Sequence, residues 1–121
     1  MPNVSASTTD LVAQFATAVA AQTDAIWNGD AKLGNKHAKR YLSAFERLRK
    51  LGNSGRDALA VLFEHERPDV RVTAAAFLLR HRTEEAMAVL RVAAGGEGLV
   101  SFEAQQALQR WAEGSWSLDP E

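Results

Sequence analysis

The sequence predicts an all-α protein of about six helices, stacked in three antiparallel pairs. Six segments repeat apolar residues at three- and four-residue steps, the spacing that places side chains on one face of a helix. Alanine is abundant and β-branched residues are sparse, which favours helix. No segment alternates apolar and polar residues over the length of a strand. The 121 residues, 46% hydrophobic and 24% charged, suit one globular core.

The first two predicted helices form a long first pair. The first spans residues 9–27, capped by Thr8 or Thr9, and the turn at residues 28–30 ends it. The second spans residues 36–51 and ends at the glycine-containing stretch 52–55. The periodicity predicts an inward face for Leu11, Val12, Phe15, Ala16, Val19, Ile26, Trp27, Ala38, Tyr41, Leu42, Phe45 and Leu48.

Four shorter helices follow. The third spans residues 56–65, and Pro68 opens the fourth, because the first turn of a helix has no partner for the N–H that proline lacks. Thr83 is the expected cap of the fifth, and a glycine-rich turn at residues 95–98 precedes the sixth, which ends at Gly114. Inward positions are Leu59, Leu62, Phe63, Val70, Ala74, Phe77, Leu78, His81, Ala86, Met87, Leu90, Ala94, Val100, Ala104, Ala107, Leu108 and Trp111.

These elements predict a single helical domain over residues 9–114. Residues 1–8 are expected to be disordered or extended, and residues 115–121 to form an irregular tail. Trp116 lies in that tail. We expect its ring to fold back and cap the stack; contact with a partner or a second copy is the alternative.

A repeat of helix, turn and helix runs through the second half of the chain. Val70, Ala74, Leu78 and Arg80 recur thirty residues later as Val100, Ala104, Leu108 and Arg110, and Ala60-Val61-Leu62 recurs as Ala88-Val89-Leu90. One such unit cannot cover its own apolar face, so neighbouring units must stack.

The Pro-Asp-Val-Arg stretch at residues 68–71, followed by paired alanines and Leu78, resembles the start of the second helix of a HEAT repeat. Residues 11–114, closing on Leu108, Trp111 and Gly114, also resemble short bacterial HEAT-like proteins of unknown function. This resemblance implies a right-handed α-α superhelix, a short HEAT-like solenoid. It also implies a polar ladder between neighbouring repeats, to which Asp69 and Arg71 would contribute.

Charge is unevenly distributed along the chain, although the net charge is only −1. Residues 31–56 hold eight lysines or arginines and a single acid, Glu46, whereas residues 83–121 hold seven acids and two arginines. The second predicted helix carries most of the cations on the face opposite its apolar seam. This basic face is the candidate partner-binding surface, and it comprises Lys32, Lys36, Lys39, Arg40, Arg47, Lys50 and Arg56.

The sequence offers little for catalysis. There is no cysteine, which excludes disulfides and thiolate chemistry. The three histidines, His37, His65 and His81, have no compact metal-ligand spacing. The His65–Glu66 pair resembles the iron-binding pairs of some HEAT-repeat hydroxylases, but those sites need several converging pairs. We therefore expect no cofactor, no metal and no enzymatic activity.

The composition and the basic face lead to a functional expectation. No apolar run reaches the roughly 18 residues of a membrane span, and the first ten residues lack the features of a signal peptide. We expect a cytoplasmic protein without membrane contact. The favoured function is a non-enzymatic protein–protein interaction module whose basic helix neutralises or scaffolds an acidic partner. Binding of nucleic acid through the same helix is the alternative, a homodimer is left open, and a solvated face without a partner is the plainest interpretation.

Overall fold

The fold is all-α, as the periodicity predicts. A computed structural model describes the chain from Val4 to Pro120, with side chains from Thr8 onward. Within these residues there are six α-helices, one short 3-10 helix and no strand. The elements are α1 (Val4–Trp27), α2 (Ala31–Lys50), α3 (Asn53–Leu59), the 3-10 helix (Ala60–Glu64), α4 (Pro68–Phe77), α5 (Thr83–Ala94) and α6 (Leu99–Glu113). None of the described helices has a stretch long and apolar enough to cross a membrane.

The chain forms two compact units, Met1–Leu59 and Ala60–Glu121. In the first unit α2 packs along α1, and α3 contacts both of these helices. In the second unit the 3-10 helix and α5 pack on α4, and α6 packs on α5 and α4. Consecutive helices therefore pack against each other within each unit, as stacked helix pairs require.

The predicted apolar seam of the first unit is largely confirmed. Phe15, Val19 and Leu48 are fully buried, and the ring of Phe15 meets that of Tyr41 edge-on with centroids 5.6 Å apart. The expected burial of Trp27 is wrong, because 78% of its surface is exposed, and Ile26 is 42% exposed. Both residues lie in the last turn of α1, next to the start of α2. Helix α3 follows the other end of α2, about 30 Å along that helix, and is therefore remote from this turn.

Another correction to the seam concerns Leu42, which is 48% exposed. Each residue along a helix turns the side chain by about 100°, so Leu42 stands at the edge of the face that Phe45 and Leu48 bury.

Several helix ends differ from their predicted positions. Helix α1 already begins at Val4, so neither Thr8 nor Thr9 is its cap, and residues 4–8 are helical; residues 1–3 lie outside the described residues. Helix α2 begins at Ala31, because the Asp30 carboxylate accepts the Leu33 backbone N–H at 3.0 Å. Sequence reasoning used Asp30 only as part of the preceding turn, although Asp is a favoured cap residue.

The other boundary corrections fall around the middle of the chain. The predicted third helix is α3 followed by the 3-10 helix, with the change of helix type at Ala60. Thr83 does not cap α5. Its hydroxyl group instead donates to the Leu79 carbonyl at 2.6 Å, and no side-chain hydrogen bond caps α5.

The core of the second unit joins α4, α5 and α6. Small residues from α4 and α6 surround the leucines of the unit, which lets the helices approach closely. The buried cluster comprises Val72, Ala75, Leu79, Ala86, Leu90, Ala104 and Ala107. Val70, Ala74, Phe77 and Leu78 are buried as well, so the predicted inward face of α4 is confirmed.

The irregular tail folds back on this core, as expected for Trp116. The Trp116 indole N–H donates to the Ala76 carbonyl at 2.8 Å, and its ring meets Trp111 edge-on at 5.3 Å. Ala76 lies in the last turn of α4, where carbonyl groups lack donors within the helix. Farther along, Asp119 is only 1% exposed, and its backbone carbonyl accepts two hydrogen bonds from the Arg80 guanidinium at 3.1 and 2.7 Å. The tail thus closes one end of α4.

Candidate binding groove

The basic face of α2 is exposed along its whole length. Lys36, Lys39 and Arg40 lie at its centre, Lys32 at its start, and Arg47 and Lys50 toward its end. The buried residues of this helix, among them Ala44, Phe45 and Leu48, lie on the opposite side, as the sequence predicts. Arg56 is set apart, because it belongs to α3, is half-buried and donates to the Asn53 side chain at 3.3 Å.

The cations at the centre of α2 have no neutralising partner within the described part of the chain. Among the described side chains, no carboxylate pairs with Lys36, Lys39 or Arg40; Arg40 instead contacts His37 Nδ1 at 3.4 Å. Arg49, on another side of α2, does form an ion pair, with Glu46 at 2.8 Å. The exposed face therefore keeps its positive charge available for a ligand.

A groove of about 880 Å³ runs between α1 and α2, beside these cations. Its α2 wall is basic and its α1 wall consists mostly of small residues. The lining residues are Asp10, Ala13, Gln14, Thr17, Ala18 and Ala21 from α1, and Lys36, His37, Lys39, Arg40 and Ser43 from α2.

The α1 wall is shaped by spacing. Ala13, Thr17 and Ala21 recur every four residues, so their short side chains form one row along the helix. Ala18 is 5% exposed and closes the groove on the side of the core. Carbon atoms of this row and the aliphatic stems of the lysines offer apolar contact beside the cationic groups.

Three of the seven predicted partner-binding residues line the groove, namely Lys36, Lys39 and Arg40. Lys32, Arg47 and Lys50 extend the same helix face beyond it. The contribution of α1 was missed, because Ala13, Thr17 and Ala21 carry no charge and lie off the apolar seam. A four-residue repeat of small residues opposite that seam was the available signal.

Asp69 and Arg71, the expected polar-ladder residues, hydrogen-bond close to their own positions. The Asp69 carboxylate accepts from the Arg67 guanidinium at 3.0 and 2.9 Å and from the Val70 backbone N–H. Arg71 donates to the carbonyl groups of His65 and Glu66 at 2.7 and 3.2 Å. These bonds stabilise the turn into α4.

One carboxyl group of the second unit, that of Glu103, has a raised pKa. Glu103 on α6 is exposed, yet desolvation of its carboxyl group and, next in size, the nearby Asp69 carboxylate raise its pKa. Asp69 itself is buried and neutralised by Arg67.

The histidine that sequence reasoning considered for metal binding has a structural contact. His65 Nδ1 accepts the Arg67 backbone N–H at 3.0 Å, which fixes the ring at the turn before α4. Among the described residues, no group of three or more histidine, aspartate or glutamate side chains converges as a metal site would require.

Comparison with known proteins places the chain in one family. Residues 9–111 match the model of a domain of unknown function, DUF2019, which covers most of the chain. No curated protein matches the sequence. No solved structure matches it either.

Proposed function

The chain belongs to the DUF2019 family, and we propose that it is a non-enzymatic interaction module that binds an acidic segment of a partner protein. The groove between α1 and α2 is the proposed site. The observation that carries the proposal is the row of unpaired cations, Lys36, Lys39 and Arg40, along one wall of a groove whose opposite wall carries a single charge, that of Asp10. Binding there would neutralise or scaffold the partner.

Charge and shape both favour such a ligand. Unpaired cations beside a concave surface attract anionic groups and raise their association rate. The groove also offers apolar surface on Ala13, Ala18 and Ala21, so a bound segment would bury apolar area as well as neutralise charge. Asp10 lies at one end of the groove and would repel an acidic ligand there, which limits the favourable stretch to the centre of α2.

Nucleic acid is the alternative ligand of the same cations, and it has less support. Proteins that bind single strands stack bases on exposed aromatic rings. Beside the groove Phe45 is buried and Tyr41 is half-buried against Phe15. The exposed Trp27 lies in the last turn of α1 and is not a lining residue of the groove.

The test uses poly-L-glutamate and a DNA duplex of similar total charge as probes. We expect poly-L-glutamate to bind the wild-type protein more tightly, with affinity that falls as salt rises, because screening weakens charge attraction. The double variant Lys36→Glu plus Arg40→Glu should lose this binding. The matched control is Arg91→Glu plus Arg110→Glu, which changes net charge equally at two exposed positions of α5 and α6.

The outcomes separate the candidate functions. Loss of binding in the α2 variant alone supports the proposal. Equal loss in both double variants would show that only net charge matters and would refute a site in the groove. Tight duplex binding with a steep salt dependence, and weak binding of poly-L-glutamate, would favour the nucleic-acid alternative instead.

A further inference from the structure

We propose that the groove accepts a short amphipathic α-helix, with small apolar residues on one face and aspartate or glutamate on the adjoining face. This inference rests on the proposed function, because it specifies the conformation and side-chain pattern of the acidic segment. Three features of the groove lead to it: the row of small residues on α1, the spacing of the cations on α2, and the absence of backbone groups that could bond an extended chain.

The α1 wall permits close approach of another helix. Ala13, Thr17 and Ala21 form a row with a period of four residues. Such rows are the ridges of a helix surface, and ridges of one helix pack into the grooves between the rows of another, so small side chains make this ridge low. Small side chains in that row let two helix axes come within about 8 Å. The row from Ala13 to Ala21 covers eight steps of about 1.5 Å, or roughly 12 Å, which is about two helical turns.

The size of the groove agrees with this length. A helix of about 10 Å diameter and 12 Å length occupies roughly 940 Å³. The groove measures about 880 Å³. The two volumes are therefore of the same order.

The cations match the side-chain spacing of a helix. Lys36 is separated from Lys39 by three residues and from Arg40 by four, so all three lie on one stretch of α2 about one turn long. Carboxylates three or four residues apart on a docked helix have the same spacing along the helix axis as these cations, so each carboxylate could face one cation. Asp10, at the end of the groove, confines these carboxylates to the stretch facing Lys36, Lys39 and Arg40.

An extended segment would bind less well for a reason of hydrogen bonding. Both walls are helices, whose interior backbone groups are already bonded within α1 and α2. The polar side chains of the α1 wall are Asp10, Gln14 and Thr17. An extended chain would place its own N–H and C=O groups against alanine methyl groups without partners, whereas a helix bonds its backbone internally.

The experiment compares two peptides of equal charge. The first is a hydrocarbon-stapled helix of about 16 residues, with alanines on one face and glutamates three and four apart on the adjoining face; the staple is needed because isolated helices of this length are marginally stable. The second lacks the staple, and two central alanines are replaced by proline. Fluorescence anisotropy gives both dissociation constants, and we expect the stapled helix to bind at least tenfold more tightly.

A protein variant tests the small-residue row separately from charge. Ala13→Gln plus Thr17→Gln adds bulk at two exposed positions, keeps Lys36, Lys39 and Arg40, and introduces a good helix former. It should lose the preference for the stapled helix. Ala88→Gln plus Ala112→Gln, at exposed positions of α5 and α6, is the matched control and should retain it.

The outcomes distinguish this inference from the function on which it rests. Equal affinity of the two peptides, with binding lost in Lys36→Glu plus Arg40→Glu, would overturn the helical ligand and leave an acidic-segment binder. Retention of the tenfold preference in Ala13→Gln plus Thr17→Gln would also overturn it. If neither peptide nor poly-L-glutamate binds, the proposed function fails together with the inference.

Discussion

Replacing Gly55 by alanine tests how closely α3 approaches the end of α2. Gly55 is buried in α3. Its φ angle is not positive, so its backbone conformation by itself does not require glycine. A methyl group there would overlap the Leu48 carbonyl oxygen and lie 2.8 Å from the Leu48 carbonyl carbon. Non-bonded carbon atoms prefer about 3.5 Å or more, so α3 would have to move away by at least about 0.7 Å.

The expected cost follows from two opposing effects. Alanine favours helix over glycine by about 1 kcal/mol. Overpacking against a backbone that cannot yield costs about 1–3 kcal/mol, and occasionally more. Because the clash is with backbone and not with a flexible side chain, we expect an overpacking cost in the upper part of this range, about 2–3 kcal/mol. After the gain in helix propensity, Gly55→Ala should be destabilised by about 1–2 kcal/mol. The unfolding midpoint would then fall by about 4–8 °C.

The control is the same substitution at Gly34. This residue is buried in α2, and an added methyl group would lie 3.5 Å from Ile26 Cγ1, an ordinary contact. Gly34→Ala should therefore gain about 0.5–1 kcal/mol. Urea unfolding followed by circular dichroism at 222 nm measures both variants. A Gly55→Ala protein as stable as the wild type, or more stable, would refute the close approach of α3 to α2.

Three further predictions concern the second unit. Trp116→Phe keeps a ring beside Trp111 but removes the donor to the Ala76 carbonyl, so thermal unfolding should show a loss of about 1 kcal/mol; an unchanged midpoint would contradict tail docking. Arg80→Gln should cost about 1–3 kcal/mol, because Asp119 is buried and loses charged donors; additive losses with Asp119→Asn in a double-mutant cycle would argue against the pair. The raised pKa of Glu103 means that protonation favours the folded state, so its stabilising contribution is present below pH 4.5, the unfolded value, and disappears as pH rises through the folded pKa. In urea titrations the wild-type protein should thus lose stability relative to Glu103→Gln as the pH rises through this range. Parallel curves of unfolding free energy against pH would contradict the raised pKa. Glu97→Gln, which replaces an exposed acid, is the control.

The periodicity of the sequence predicted the interior faces of the helices well and the ends of the helices poorly. A face is repeated over several turns, so Phe15, Val19 and Leu48 could be assigned from spacing alone. An end depends on one or two residues and on what lies beyond them. Trp27 continues the apolar period of α1, yet the turn into α2 leaves it exposed.

Only one of the two walls of the candidate groove, the α2 wall, could be predicted from the sequence. The cations of α2 stand out because eight basic residues crowd into residues 31–56, and their separation from the apolar seam follows from the helical period. The other half of the groove is made of alanine and threonine on α1, residue types that carry no chemical signature. Their significance arises only when α1 lies beside α2.

The sequence by itself determined the all-α class, the buried faces and the exposed cationic face, because each follows from side-chain type and a local repeat of 3.6 residues. Tertiary structure alone decided that a groove opens beside those cations, that Gly55 has no room for a methyl group and that Trp116 bonds to Ala76 forty residues away. These features depend on distances between segments remote in sequence. Such distances are fixed by how the whole unit packs and not by any local pattern of residues.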